Sequence, residues 1–473
     1  MIIEKTAVQP GAFLRCLLAL GVAGLSACSL GPAYSRPDIP PPPAWSNPPA
    51  QAAAWPSTNW WQGFASPQLN TLMTQAREAN DDLAAAIARV KEADAQARIA
   101  GAALLPEVAA SGTATYEHQP VAGAGFKTYS AYNPLLSASY ELDFWGKNRA
   151  VRDAALAAAA ASRYDRATVE LTVMSSVASS YFQALQLRER VSIAQDNLKN
   201  AQSILKGLQL EQQVGTVTAL DVAQQDTAVA TLSAALPPLQ EQLQQTLDAL
   251  AILTGQNPGS VVLADGALGD LTQPVVEPGL PSELLARRPD VAEAEAQLIA
   301  ANANIKVARA SFFPSISLTA NGGFVSSALS TALSPANRVF ALGAGVTQPI
   351  FEGGALEGQY DYSKARYGEL LADYHKTVIS AFGNVQDALV AVQQTTADQQ
   401  AWQITVDKAQ RAYTLATAQF HAGTINILTV LNTEDALFTA QDSLAQVKLS
   451  HLQALLELFN ALGGGWQKEQ ERT

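Results

Sequence analysis

A two-residue alternation marks residues 313–324, which read FPSISLTANGGF. From Ser315 onward, polar residues alternate with apolar or small ones. The apolar or small set is Ile316, Leu318, Ala320, Gly322 and Phe324, and the polar set is Ser315, Ser317, Thr319 and Asn321. This period is typical of a β-strand with one apolar and one polar face, and it predicts a strand over 315–325.

Three further segments are predicted as strands, and long helices separate the strand pairs. The strands are 107–117, 134–144 and 339–350. The Ala-, Gln- and Leu-rich sequence around them predicts helices at 81–104, Lys147–Gln213, 218–254, 289–312, Gly354–His421 and 426–462. Pro237 and Pro238 are expected to bend or interrupt the helix over 218–254.

The two halves of the chain follow one plan. RIAGAALLPEVAASGTATY (98–116) matches KVARASFFPSISLTANGGF (306–324), and the prolines within them lie 208 residues apart. The same offset pairs VGTVTALDV (214–222) with AGTINILTV (422–430), which indicates an internal duplication. The expected segments are a signal peptide (1–27), a Pro-rich linker (28–62), a first repeat (63–270), a second repeat (271–466) and a tail (467–473).

The predicted helix lengths indicate rods rather than a globule. At 1.5 Å per residue, Lys147–Gln213 spans roughly 100 Å, its return helix about 55 Å and the helix before the strands about 36 Å. The two short helices placed end to end match the long one. Each half can therefore form two parallel columns of helix, with a strand hairpin at one end and a tight turn at the other.

The strands have the dimensions of membrane-spanning strands. About 10 residues cross a bilayer as a tilted strand, with the apolar face toward lipid. Aromatic residues near the strand ends, typical of an interfacial belt, are Tyr116, Phe144, Trp145, Phe312, Phe313, Phe324 and Phe351. Four strands cannot close around water, and open edges are not tolerated in lipid, so several chains must share one barrel; three chains give twelve strands. The alternative is a soluble hairpin packed on helices.

The N-terminus has the layout of a secretory signal. Lys5 and Arg15 precede the apolar run LLALGVAGLSAC, which ends in small residues. Its last four residues resemble the lipobox of bacterial lipoproteins, which implies lipidation of Cys28; the alternative is a plain signal peptide with an incidental cysteine. Ser29, rather than Asp, follows, and this resemblance favours sorting to the outer membrane. Eight prolines within 32–49 predict an extended linker rather than a packed element.

Composition excludes several classes of function. The chain has 473 residues, of which 48% are hydrophobic and 15% charged, and a formal net charge of −12, which argues against a nucleic-acid partner. The four histidines have no metal-ligand spacing, and we find neither a nucleophile–base spacing nor a cofactor motif. We therefore expect no enzyme, no cofactor and no metal site. Only three methionines occur, which disfavours a thioether-rich copper or silver path.

Several stretches together resemble the outer-membrane efflux channels (TolC-like outer membrane factors), in the NodT-type lipoprotein branch. They are CSLGPAYSRP, WWQGFASPQLNTLM, NDDLAAAIARV, YELDFWGKNR, GLPSELLARRPDVAEAEAQL, ASFFPSISL, QPIFEGG and ALGGGW. The resemblance implies an α+β membrane protein: a homotrimer with a twelve-stranded outer-membrane β-barrel, four strands per chain, and a long α-helical periplasmic barrel. It also implies two partners, a periplasmic adaptor and an inner-membrane pump, usually of the resistance-nodulation-division type.

Two sites follow from the resemblance. The tip turns, where the adaptor docks in this family, match Val214, Gly215, Thr216, Ala422, Gly423 and Thr424. Glycine also suits a sharp helix reversal, so a purely structural role stays open. The family often places acidic residues just after these turns as a periplasmic gate, and the candidates here are Asp221, Thr429, Asn432, Glu434 and Asp435. The second half departs from that pattern, because Thr429 and Asn432 stand where carboxylates are common.

Two functions remain at this point. One is a passive efflux duct that carries drugs or other small toxic compounds across the periplasm and outer membrane. The other is a non-conducting, periplasm-spanning structural or adhesin-like lipoprotein. The polar strand faces and their need for closure favour the duct. The sequence does not name the cargo, because the pump selects it.

Overall fold

The computed structural model describes residues 33–45, 55–123, 125–276 and 279–468. In chain order its helices and strands are α1 (Pro67–Ala79), α2 (Asp81–Ala102), β1 (Glu107–Val121), β2 (Gly125–Glu141), α3 (Lys147–Gln213), α4 (Ala219–Leu253), α5 (Pro281–Leu284), α6 (Pro289–Ala310), β3 (Ser315–Phe324), β4 (Arg338–Thr347), α7 (Ala355–His421) and α8 (Ile427–Ala461). None of the helices within these described ranges is both long and apolar enough to cross a membrane.

Corresponding helices of the two halves have equal lengths. The long helices α3 and α7 each have 67 residues, α4 and α8 each have 35, and α2 and α6 each have 22. The predicted bounds of the long helices are confirmed to within one residue. Asp143 sets the start of α3, because its carboxylate accepts hydrogen bonds from the backbone N–H groups of Asn148 and Arg149, both at 2.9 Å.

The expected interruption at Pro237 and Pro238 does not occur, because α4 runs through both prolines. Each proline removes one backbone donor but keeps a helical φ. Side chains on both sides of the pair, Leu236, Leu239 and Leu243, pack into a cluster with residues of α3 and α8. This packing holds the helix together across the two missing hydrogen bonds.

The four strands form one antiparallel sheet in the order β1-β2-β3-β4. The first hairpin is longer than the predicted strands 107–117 and 134–144, since pairing continues to Val121 opposite Gly125. Positive φ at Gly123 and Gly125 (78° and 68°) allows a tight turn where we expected a loop.

The second strand of each hairpin ends about three residues before the predicted position. β2 stops at Glu141 because Asp143 turns away to cap α3. β4 covers 338–347 rather than 339–350, and Pro349, which has no N–H to donate, follows its end.

The chain divides into two compact units. Of the described residues, unit 1 comprises 33–37, 91–123, 125–160 and 295–373, and it contains the sheet. Unit 2 comprises 38–45, 55–90, 161–276, 279–294 and 374–468. The core of unit 2 is aromatic: Trp60 stacks on Phe459 at 5.0 Å between ring centroids, and Phe64 lies 4.9 Å from Phe182.

The Pro-rich segment is extended, as predicted, but it is packed rather than free. Residues 33–45 contain no helix or strand. In unit 2, Trp45 is only 5% exposed, its Nε1 donates to the Gly279 carbonyl at 2.8 Å, and its ring lies 6.5 Å from Phe382. The prolines predicted a solvated linker, but the free energy gained by burying this large side chain favours packing of the segment. Cys28 and the predicted signal peptide lie outside the described residues.

Candidate functional site: two strand faces and two helix turns

The strand register places all four apolar stripes on one face of the sheet. Leu318 pairs with Tyr140 on one side and with Ala344 on the other, and residues paired across strands point to the same face. The residues of this apolar face include Val108, Ala110, Ala114, Leu136, Ala138, Tyr140, Ile316, Leu318, Ala320, Phe340, Leu342, Ala344 and Val346. Strands predicted separately in the two halves thus form one continuous apolar surface.

The opposite face carries hydroxyl and carboxylate groups. Ser317 pairs with Glu141 and Gly345, and the residues of this polar face include Glu107, Ser111, Thr113, Thr115, Glu117, Asn133, Ser137, Ser139, Glu141, Ser315, Ser317, Thr319, Asn321 and Thr347. The sheet therefore separates an apolar surface from a polar one.

Nothing in the described part of the chain covers the apolar face over β4. Phe340 is 86% exposed and Leu342 is 81% exposed. The backbones of β1 and β4 each have one neighbouring strand, so both sheet edges have free hydrogen-bonding groups. An apolar face and two open edges both require partners outside the chain.

Aromatic side chains cluster where the strands meet the helices. Trp145 lies 4.8 Å from both Phe144 and Phe313, and its Nε1 donates to the Pro314 carbonyl at 2.7 Å. A ring with one apolar and one hydrogen-bonded side is suited to a lipid–water interface.

The two tip turns have the same backbone geometry. Gly215 and Gly423 have φ of 81° and 68°. The N–H of Thr216 donates to Glu211 O, and that of Thr424 donates to Gln419 O, each at 3.0 Å. Both threonine hydroxyls donate to the same carbonyls. These bonds satisfy the free carbonyls at the ends of α3 and α7, so each glycine has a structural role.

Asp221 completes a capping box with Thr218, the N-cap residue of the helix after the first turn. Its Oδ2 accepts from the Thr218 N–H at 2.8 Å and from the Thr218 hydroxyl at 2.7 Å, while its own N–H donates to the Thr218 Oγ1 at 3.3 Å. The hydrogen bonds from the Thr218 side chain and backbone lower the pKa of Asp221. In the second half, Asn426 Oδ1 accepts from the N–H and hydroxyl of Thr429, at 3.3 and 3.1 Å. Thr429 thus occupies the matching cap position without a charge.

The other gate candidates differ in exposure. Asn432 and Asp435 are exposed, whereas Glu434 is 4% exposed. Burial raises the pKa of Glu434 to about 7. In this chain the carboxyl group of Glu434 is enclosed, whereas a residue that lines an aqueous opening is in contact with water. The gate role of the five candidates stays a prediction.

Residues that flank both turns belong to one cluster in unit 2. Leu208, Ala416, Ile427 and Val430 form its buried core, and partly buried residues from the start of α4 and the end of α7 pack against it. The structure therefore brings together two turns that are 208 residues apart in sequence.

Two ion pairs between α3 and α8 were not predicted. Arg190 binds both carboxylate oxygens of Asp442, at 2.6 and 3.1 Å, and Lys448 lies 3.0 Å from Glu189. Each pair joins residues more than 250 positions apart (252 and 259), and no local pattern marks them.

Comparison with known proteins gives consistent results. The family model for outer membrane efflux proteins matches residues 72–256 and 280–464. The pyoverdine export outer membrane protein OpmQ of Pseudomonas putida is 42% identical over 463 residues, covering 96% of this chain and 98% of OpmQ. The toluene efflux pump outer membrane protein TtgC, from another strain of the same species, is 33% identical, covering 96% of each chain. The open-state structure of the Neisseria gonorrhoeae MtrE outer membrane channel matches with a TM-score of 0.86 and 29% identity, over 93% of this chain and 99% of MtrE.

Proposed function

The chain belongs to the outer membrane efflux protein family, and we propose that three copies of it form the outer-membrane duct of a tripartite exporter. The family places it in the outer membrane as an efflux channel that extends into the periplasm. The observation that carries the proposal is the strand register, which gives one apolar face, one polar face and two open edges.

Closure of the barrel follows from these edges. β1 of one copy can pair with β4 of the next, so that three four-stranded sheets close into a twelve-stranded barrel with no free edge. Lipid then covers the apolar face, and the polar face lines a water-filled lumen.

The tip turns are proposed as the docking site of the periplasmic adaptor. The side chains of Val214 and of both turn threonines are exposed, and residues that flank the two turns pack in one cluster. An inner-membrane pump, of the resistance-nodulation-division type by family resemblance, would load the duct through that adaptor. The protein has no catalytic role in this scheme, since the pump supplies the energy.

The cargo is proposed from the relatives. The name of OpmQ states pyoverdine export, and that of TtgC states toluene efflux. Because identity to OpmQ is higher (42% against 33%), a secreted siderophore is the first cargo to test. Restoration of pyoverdine release in a Pseudomonas strain lacking its own OpmQ would support this cargo, while restored toluene tolerance alone would favour solvent efflux.

Two features at the sequence level complete the proposal. We infer lipidation at Cys28, after removal of residues 1–27, and repeats at 63–270 and 271–466. The two family-model matches, which fall inside these two ranges, support the repeat boundaries.

A planar-bilayer recording tests the duct against the non-conducting lipoprotein. The purified protein should assemble as a trimer and give discrete conductance steps once the tip turns open. A trimer that never conducts, even after the caps that follow both turns are weakened by Asp221→Ala and Asn426→Ala, would favour the structural lipoprotein.

A further inference from the structure

Glu434 occupies a position where an apolar residue is expected. It lies on α8 four residues after Val430 and seven after Ile427, so the three side chains share one face of the helix. Val430 and Ile427 are core members of the cluster at the tip turns, and Glu434 is as buried as they are.

Among the described residues, no counter-charge forms an ion pair with the carboxyl group of Glu434. Its Oε1 is buried without a hydrogen-bond partner among the described residues, and no ion pair to it is found there. The apolar residues that α3 and α4 contribute to the cluster are Ile204, Leu208 and Val222. From α7 the titratable group that interacts with it is Tyr413, whose pKa is raised by burial and by the Glu434 charge. On α8 itself the adjacent Asp435 is exposed.

The corresponding residue of the first half is different. The 208-residue offset aligns Glu434 with Asp226, which is exposed on α4. The acid at this position is therefore solvated in one half and enclosed in the other, so the fold of the helix pair does not itself require a buried carboxyl group.

We propose that Glu434 is a protonation-dependent latch, which holds α8 packed against α7 beside the tip turns while its carboxyl group is neutral and loosens that packing when it ionises. The physical reason is the cost of burying an unpaired charge. The effect on channel opening rests on the proposed duct function, whereas the effect on helix packing does not.

The direction of the pH dependence follows from the raised pKa. The carboxyl group has its ordinary pKa of 4.5 when the packing opens and a pKa of about 7 when it is closed. The packing is therefore strongest at acidic pH, weakens as the pH rises from about 4.5 to about 7, and stays weak above that range. The latch is closed in acid and loosened at neutral to alkaline pH.

Hydrogen exchange of the purified protein tests the packing. Peptides covering 410–440 are compared between wild type and Glu434→Gln at each pH from 5 to 8, so that the intrinsic pH dependence of exchange cancels. Hydrogen exchange measures the equilibrium constant for local opening. This constant should be larger in the wild type than in the variant, by about fourfold at pH 5 and by about a hundredfold or more at pH 8. A ratio that stays constant across this range would overturn the proposal.

Two further variants secure the result. Asp226→Asn is the matched control in the first half, and its exchange should follow wild type at every pH. If Glu434→Gln fails to fold, Glu434→Met supplies a second neutral side chain of similar length.

In planar bilayers, the open probability of wild type should rise with pH and that of Glu434→Gln should not. Conductance that depends on pH equally in both, with the exchange result as expected, would contradict the duct consequence and leave the latch standing.

Discussion

The sheet and the helix turns combine the two halves of the chain in different ways. In the sheet, strands from both halves present the same chemistry on each face, and Leu318 of the second half pairs directly with Tyr140 of the first. At the turns, the backbone is the same but the charge is not: Thr218 and the charged Asp221 form the cap of one helix, whereas the neutral Asn426–Thr429 pair forms the cap of the other.

This difference shows which physical requirement acts on each region. A membrane-facing strand must place apolar groups on one face, because lipid cannot solvate a charge. A helix N-terminus needs only an oxygen that accepts from its free N–H groups, and the hydroxyl of Thr218 at α4 and the amide oxygen of Asn426 at α8 both supply it. The halves can therefore differ in charge at the turns without any change of fold.

The largest effect is expected from a charge on the apolar face. Leu318→Arg should cost about 2–4 kcal/mol near the bilayer midplane and reduce trimer yield on native gels. The matched control Ser317→Arg lies on the polar face opposite Glu141, so it should assemble and change the ion selectivity. Equal loss of trimer for both variants would contradict the assignment of the two faces.

A smaller effect is expected at the turn glycines. Gly215→Ala and Gly423→Ala each place a Cβ at positive φ, at a cost of roughly 1 kcal/mol. Because no neighbouring atom lies within 4 Å of a Cβ built at either glycine, the cost comes from the backbone alone and should be equal in the two halves. Denaturant unfolding of each variant measures it; a clear difference between them would mean that the turns are not equivalent.

The caps should differ from each other in pH dependence rather than in size. Asp221→Ala removes the acidic half of the capping box of α4, and Asn426→Ala removes the N-cap oxygen of α8; each variant should lose about 1 kcal/mol at pH 7. Since hydrogen bonding lowers the pKa of Asp221, its contribution is present at neutral pH and is lost as the pH falls below about 4, whereas the contribution of Asn426 does not titrate there. Unfolding free energies at pH 3 and pH 7 check this.

The same Asp221→Ala variant tests the predicted gate. If Asp221 lines the periplasmic opening of the trimer, the variant should change resting conductance and cation preference between pH 4 and pH 8. Unchanged conductance and selectivity would leave Asp221 with its capping role alone.

The smallest effect on the sheet and on the helix turns is expected from Cys28→Ser. This variant should lose labelling by a radioactive fatty acid, while the trimer persists because the strands hold the protein in the membrane. Continued labelling of the serine variant would exclude lipidation at this position.

Local pattern in the sequence determined the helices, the strand faces and the turns. The bounds of α3, the alternation in β3 and the Gly-Thr reversals all depend on residues within a few positions of each other, because helix and strand periodicity and capping are short-range effects. The apolar and polar sets read from 315–325 are the two faces seen in the sheet.

Tertiary structure alone decided what is buried and what is paired over long distances. The docking of Trp45, the uninterrupted helix through Pro237 and the burial of Glu434 depend on side chains from other helices and loops. Each of these features depends on packing that overrides a local conformational preference, and the packing partners are distant in sequence. The ion pair between Arg190 and Asp442 likewise joins residues 252 positions apart. A local pattern cannot contain that information, because burial is a property of the folded chain.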